Sequence, residues 1–121
     1  MYPPLFATCL ANAPLTAVIG TAPCRCFLFG EASPAPPAKP YVVWQTIGGG
    51  PENHLNSAPT IARYSLQVDV YGTTADSARS TAALFRTAIQ GVANVTGFNG
   101  EFREADTGLF RVSLAVDWFA A

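Results

Sequence analysis

Alternation of apolar and polar side chains marks the strands of this chain. Residues 61–72, IARYSLQVDVYG, alternate strictly, which is the period of a β-strand with one buried face. The two faces carry Tyr64, Leu66, Val68 and Val70 on one side and Arg63, Ser65, Gln67 and Asp69 on the other. β-Branched and aromatic residues predict further strands at 41–47 and 108–119, with a short strand at 24–28 and another strand at 95–104. We expect the apolar face to pack on helices and the polar face to meet water or a partner.

Helical periodicity is clearest in residues 73–91, TTADSARSTAALFRTAIQG. Thr73 and Asp76 have the spacing of a capping box, and Gly91 predicts the end of the helix. The apolar residues of this segment form one stripe along the predicted helix, namely Ala78, Ala82, Phe85, Ile89 and Val92. Arg79 and Arg86 lie away from this stripe. Residues 3–12 and 13–20 predict two shorter helices.

These elements together predict an α+β fold. We expect one mixed, mainly antiparallel sheet of about five strands with helices packed on one face, in the order α-β-β-β-α-β-β. The 121 residues suffice for one domain with a modest core, so residues 1–121 are expected to form a single domain. The proline-rich stretch 29–40 and the glycine-rich stretch 48–59 are predicted to be flexible loops.

Two of the predicted strands share a sequence pattern that suggests a register. RYSLQVDVY, at 63–71, and RVSLAVDWF, at 111–119, both read R-x-S-L-x-V-D. If the strands are antiparallel neighbours, Arg63 comes opposite Asp117 and Arg111 opposite Asp69, so each pair would form an ion pair across the ladder. The alternative is that two strands with similar patterning resemble each other by coincidence.

The charge content is low for a domain of this size. Hydrophobic residues make up 50% of the chain and charged residues only 12%, about half the usual ~25%. The surface is therefore either neutral and polar or covered in part by neighbouring subunits, because the centres of interfaces are depleted of charge. A net charge of −1 with scattered basic residues argues against a reader of nucleic acid.

The start of the chain lacks the positive region of a secretory signal, and no apolar run reaches the ~18–20 residues of a membrane span. A soluble protein made in a reducing cytoplasm is therefore expected. The odd set of Cys9, Cys24 and Cys26 agrees, since a two-residue spacing forms disulfides poorly and too few ligands are near for zinc. We interpret these cysteines as small buried hydrophobic residues.

No active site can be identified in the sequence. The stretch IGGGPENHLNSAP, at 47–59, fits no phosphate-binding motif, and no predicted helix follows it. His54 is the sole histidine, but its neighbours Glu52 and Asn53 are adjacent in sequence on an exposed loop and give it no oriented partner. We therefore expect no catalytic residue, no cofactor and no metal.

The loop itself has a different candidate role. It is longer than a hairpin needs, and loops of this length are usually functional or disordered. We interpret it as an assembly arm that becomes ordered on a partner, at an entropic cost. The residues concerned are Gly49, Gly50, Pro51, Glu52, Asn53, His54, Leu55 and Asn56.

Several segments in the same order resemble the tail-completion, or tail terminator, proteins of long-tailed bacteriophages and prophages. They are MYPPLF at the start, FGEA at 29–32, PYVVWQTI at 40–47, PEN at 51–53, QVDVYG at 67–72 and VDWF at 116–119. The resemblance covers nearly the whole chain, and none of these segments is a catalytic motif.

The resemblance implies a subunit that assembles into a homo-oligomeric ring, usually a hexamer. Such a ring caps the tail tube at the head-proximal end of the virion tail, ends tube polymerisation and provides the head-tail joining surface for the connector or neck protein. DNA passes through the channel without sequence-specific binding, no membrane is involved, and assembly takes place in the host cytoplasm. On this basis we assign two regions to contacts with adjacent subunits or with the tube. They are the loop 48–59 and the hairpin residues Glu101, Arg103, Glu104 and Asp106.

Two alternatives stay open. One is another structural subunit of the same particle, such as a neck adaptor or a tube protein. The other is a small ligand-binding or hydrolytic domain that uses His54 with Glu52.

Overall fold

The computed structural model describes residues 2–21, 24–30, 38–51 and 61–120. Within these ranges the elements follow in the order α1 (Leu5–Leu10), α2 (Ala13–Ile19), β1 (Cys26–Leu28), β2 (Tyr41–Pro51), β3 (Ala62–Gly72), α3 (Ala75–Ile89), β4 (Ala93–Arg103) and β5 (Phe110–Ala120). The predicted order of helices and strands is confirmed. None of the described helices is long and apolar enough to span a membrane.

One mixed sheet contains all five described strands, in the order β1-β2-β3-β5-β4. Strand β1 runs parallel to β2, and the other neighbours are antiparallel. This confirms the predicted α+β fold with a mainly antiparallel sheet. Strands β3 and β5 lie at the centre, and β4 forms one edge.

The core lies between the helices and one face of the sheet. The alternating residues Leu66, Val68 and Val70 of β3 are fully buried there, as their spacing predicted. From α3, the buried stripe is Ala78, Ala82, Phe85 and Ile89. Val92 was predicted to extend this stripe, but it is exposed because the helix ends at Ile89 and the chain turns before β4.

Thr74, and not Thr73, caps the N-terminus of α3. The Thr74 side chain accepts a hydrogen bond of 3.1 Å from the backbone N–H of Ser77, three residues later in the sequence. The predicted capping box of Thr73 with Asp76 is therefore wrong by one residue, although Asp76 does lie in the first turn, where the helix dipole favours a negative charge.

The two short helices cover the other part of the core. Leu5 and Cys9 of α1 are fully buried, and so are Leu15 and Ile19 of α2. Asn12 separates the helices and caps α2, because its side-chain oxygen accepts a 3.0 Å hydrogen bond from the backbone N–H of Leu15.

The register between β3 and β5 differs from the predicted one by two residues. Arg63 lies opposite Phe119 rather than Asp117, and Arg111 lies opposite Tyr71 rather than Asp69. A shift of two residues leaves every side chain on its predicted face, since the pleat repeats every two residues. The faces were therefore predicted correctly while the opposed pairs were not.

We predict that Thr74→Ala destabilises the protein by about 1 kcal/mol, because it removes the acceptor for the Ser77 amide. Urea denaturation followed by circular dichroism measures this change. Thr73→Ala is the matched control, since Thr73 is an exposed threonine that does not cap the helix, and it should change the free energy of unfolding by far less. Equal effects of the two substitutions would contradict the assignment of the cap.

Candidate functional site

The glycines of the predicted arm belong to strand β2. Gly49, Gly50 and Pro51 pair with Tyr64, Arg63 and Ala62 of β3. Gly49 has φ +132°, and a Cβ there would lie 2.0 Å from the carbonyl oxygen of Arg63, so no other residue fits without a shift of the backbone. The loop prediction is wrong for residues 48–51, because the strand continues past a bulge between Thr46 and Gly48.

The remaining arm residues lie outside the described part of the chain. They are Glu52, Asn53, His54, Leu55 and Asn56, within the undescribed range 52–60. Their assignment to an assembly contact stays a prediction, and so does the interpretation of His54 as a surface histidine. The described structure places only the base of the arm, at the end of the β2–β3 hairpin.

Strands β4 and β5 are joined by a tight turn that carries the acidic residues predicted from the sequence. Glu104 anchors the turn, since its N–H donates to the Leu109 carbonyl and its own carbonyl accepts from Gly108, both at 2.8 Å. Asp106 is exposed at the tip. Arg103 closes the end of β4, with its guanidinium carbon 5.8 Å from the centre of the Phe110 ring.

The acidic residues of this hairpin do not form a single negative patch. Glu101 accepts two hydrogen bonds from Arg79 of α3, at 2.5 and 2.7 Å, so it lies on the helix side of the sheet. Glu104 lies 3.5 Å from Arg111, on the opposite face. Both charges are thus balanced within the subunit, and the Arg111 guanidinium also lies 4.7 Å from the Phe102 ring centre.

Hydrogen bonding with Arg79 also shifts the titration of the Glu101 carboxyl. The two hydrogen bonds, and then the positive charge itself, lower the pKa of Glu101 below its ordinary value, and the same contacts raise the pKa of Arg79. Both side chains are largely exposed, so the pair contributes little to the free energy of folding.

The sheet face away from the helices carries a polar network at one end. Ser65 lies opposite Asp117 and donates to its carboxylate at 3.1 Å, while Arg63 donates to Ser65 at 3.0 Å. Arg63 also lies 3.8 Å from the second Asp117 oxygen, so the two form an ion pair on the diagonal of the ladder. The shifted register places Ser65 between the two charged groups.

Asp69 lies at the centre of the same face. It is only 7% exposed, and its Oδ2 accepts a 3.1 Å hydrogen bond from Gln67. Its Oδ1 has no hydrogen-bond partner among the described residues, and the predicted pairing with Arg111 is absent. Burial, and then the Asp69 charge, raise the pKa of neighbouring Tyr71, whose ring stacks on Tyr41 at 4.9 Å.

The three cysteines are buried free thiols, as predicted. A hydrogen bond with Cys9, followed by burial, raises the pKa of the Cys26 thiol, and burial raises the pKa of Cys24. Thiols held protonated in this way are poor nucleophiles and poor metal ligands. Within the described ranges, no three His, Cys, Asp or Glu side chains come together in a group that could hold a metal ion.

Exposed aromatic residues on β4 are the feature that the sequence pattern did not reveal. Phe98 and Phe102 are both exposed on this edge strand, and the Arg86 guanidinium lies 5.3 Å from the Phe98 ring centre. Two bulges interrupt the alternation, between Val95 and Gly97 and between Phe98 and Gly100. The glycines on both sides of Phe98 are the sequence signal that could have indicated them.

Comparison with known proteins relates the chain to phage tails. The family model described as "Tail completion protein gp17" matches residues 3–121. No curated protein matches the chain. A chain of the solved structure titled "Virion of native gene transfer agent (GTA) particle" superposes with a TM-score of 0.68 at 18% sequence identity, over 95% of this chain and 90% of that chain. At this identity, the superposition shows a shared fold.

We predict that Arg79→Ala raises the pKa of Glu101 toward its ordinary value, because the lowered pKa depends on this guanidinium. A carboxyl NMR titration measures the shift. In the native protein the pair stabilises the fold at neutral pH, and this contribution disappears as the pH falls through the Glu101 pKa. Arg86→Ala is the matched control on the same helix and should leave Glu101 unchanged. An unchanged Glu101 pKa in Arg79→Ala would refute the pairing.

Proposed function

The chain belongs to the Tail completion protein gp17 family, and from this premise we propose that its copies form a closed ring that caps a phage tail tube. The family match extends over every described element, which confirms the resemblance seen in the sequence. The chain is therefore a structural protein of the virion, in its tail. In the proposal, the ring is a hexamer that ends tube polymerisation and forms the surface on which the head connector or neck protein docks.

Exposed apolar side chains are the observation that carries this proposal. Among the described residues, ten large hydrophobic side chains are exposed, from Leu10 and Ile61 at 42% to Tyr2 at 70%. Charged residues make up only 12% of the chain. The centres of interfaces between subunits are depleted of charge. A surface of this composition suits a subunit that its neighbours cover.

The shared fold gives further support. The matched chain is part of a gene transfer agent virion, so this arrangement of helices and strands occurs in an assembled particle. This neighbour supports the architecture of the proposed subunit. The family match supplies the connection with tail completion.

Two regions are proposed as contacts with adjacent subunits or with the tube. The first is the arm at residues 48–59, whose base at Gly49–Pro51 is held in β2. The second is the β4–β5 hairpin with Glu101, Arg103, Glu104 and Asp106. Because Glu101 and Glu104 are paired within the subunit, exposed Asp106 is the acidic side chain of this hairpin best placed to meet a partner.

A structural role, without catalysis, is part of the proposal. DNA would pass through the channel unread, in keeping with a net charge of −1. The alternative domain that uses His54 with Glu52 for binding or hydrolysis requires a monomer and a small-molecule substrate. If the chain were a tube protein, its copies would polymerise without limit. If it were a neck adaptor, it would attach to the head connector alone.

We predict that the purified protein forms closed rings, either alone or on meeting tube ends, and that it binds tube ends rather than tube walls. Light scattering measures the mass of the assembly, and negative-stain images with and without tube protein locate it. Open filaments would favour a tube protein. A monomer that ignores tube ends and converts a substrate through His54 would overturn the proposal.

A further inference from the structure

The two edges of the sheet are different surfaces at opposite ends of one layer. Strand β4 is the last strand on one side, and no described strand pairs with its outer edge. On the other side, β1 pairs with only three of the eleven residues of β2, from Val42 to Trp44. The outer edge of residues 46–51 is therefore without a strand partner among the described residues. Free edges of this kind are templates for pairing with another chain.

The β4 edge combines exposed aromatic rings with exposed polar side chains. Phe98 is 64% exposed, and the Arg86 guanidinium lies over its ring. Glu101, which could oppose an incoming strand, is already bound through both carboxylate oxygens by Arg79. This edge thus offers backbone hydrogen-bonding groups, the exposed rings of Phe98 and Phe102, and the guanidinium groups of Arg86 and Arg103. The Glu101 carboxylate is already bound by Arg79.

The opposite edge carries exposed apolar side chains, and its Arg25 is hydrogen-bonded within the subunit. Phe29 follows β1 directly, its N–H donates to the Trp44 carbonyl, and its side chain is 60% exposed. Phe6 of α1 and Ile47 of β2 are exposed as well. Arg25 turns inward, donating to the Val18 carbonyl at 2.7 Å and the Pro40 carbonyl at 3.1 Å.

We propose that the β4 edge of one copy docks on the β1–β2 edge of the next copy, with Phe98 and Arg86 against the aromatic and aliphatic side chains around Phe29. This inference rests on the proposed ring, and it names the two surfaces that build it. Contacts between two different patches of identical subunits are heterologous, and such contacts form a ring when the rotation between successive copies closes. Strand-to-strand pairing supplies main-chain hydrogen bonds, as when a peptide adds to a free sheet edge.

Charge favours this pairing over contact between two copies of the same edge. Two β4 edges facing each other would bring together two copies of a surface whose charges without an ion pair among the described residues, Arg86 and Arg103, are both positive, and like charges in contact are unfavourable. The β1–β2 edge instead presents aromatic faces, to which a guanidinium is attracted. A second copy of this chain, joined head to tail, is therefore the occupant that fits both edges.

Single and mixed variants test the proposal. Phe98→Asp disables the β4 edge and Phe29→Asp disables the β1–β2 edge, and both residues are exposed enough for the fold to tolerate the change. Under conditions where the wild type is fully assembled, each variant alone should be monomeric by light scattering. An equimolar mixture should form a dimer and nothing larger, because each variant keeps the edge that the other has lost.

Phe119→Asp is the matched control, because Phe119 is 45% exposed but lies on β5, which has a strand on each side. This variant should still assemble into oligomeric rings. Circular dichroism of all variants must match the wild type. Three results would each overturn the edge assignment while leaving the capping function standing. They are oligomeric rings that survive Phe98→Asp or Phe29→Asp, dimers of either variant alone, and a mixture that stays monomeric. A wild type that stays monomeric even with tube ends would overturn both.

Discussion

Packing of α3 on one face of the sheet, with α1 and α2 completing the same core, is the constraint on which the rest of the structure depends. Phe85 and its neighbours in α3 lie on the buried residues of β3 and β5, and this contact uses the apolar side of both central strands. The other side carries the hydrogen-bonded network of Arg63, Ser65 and Asp117 together with the stacked rings of Tyr41 and Tyr71. Because the described residues form no second layer over the sheet, they leave its open face and the outer edges of β4 and of residues 46–51 without a partner strand or helix.

The parts of the fold that this constraint determines could be predicted from the sequence. The period of two in β3 and the apolar stripe in α3 follow from which side is buried, so fold class and element order were predicted correctly. The register between β3 and β5 was predicted wrongly, because sliding β5 by two residues keeps every side chain on the same face and changes only which residues lie opposite each other. Threonine is a suitable N-cap at either 73 or 74, so the residue type alone does not locate the cap, and in the structure it is Thr74.

The candidate surfaces were harder to predict for physical reasons. The contact between Arg79 and Glu101 joins residues 22 positions apart and depends on how β4 lies beside α3. Bulges in β4 change the phase of its alternation, so the exposure of Phe98 does not follow from a simple pattern. The glycines at 48–50 look like a loop in sequence, but they serve a bulged strand whose backbone approaches Arg63 too closely for a side chain at Gly49. The family, in contrast, could be identified from short segments in the right order.

Growth of tail tubes with increasing amounts of this protein tests the capping claim most directly. Tube length is measured by electron microscopy while tube protein remains in excess. If the protein caps ends, elongation stops once about one ring has bound per growing end, and further protein changes nothing. Continued elongation of tubes that carry the protein at their ends, or its incorporation along the tube in proportion to the amount added, would contradict the account.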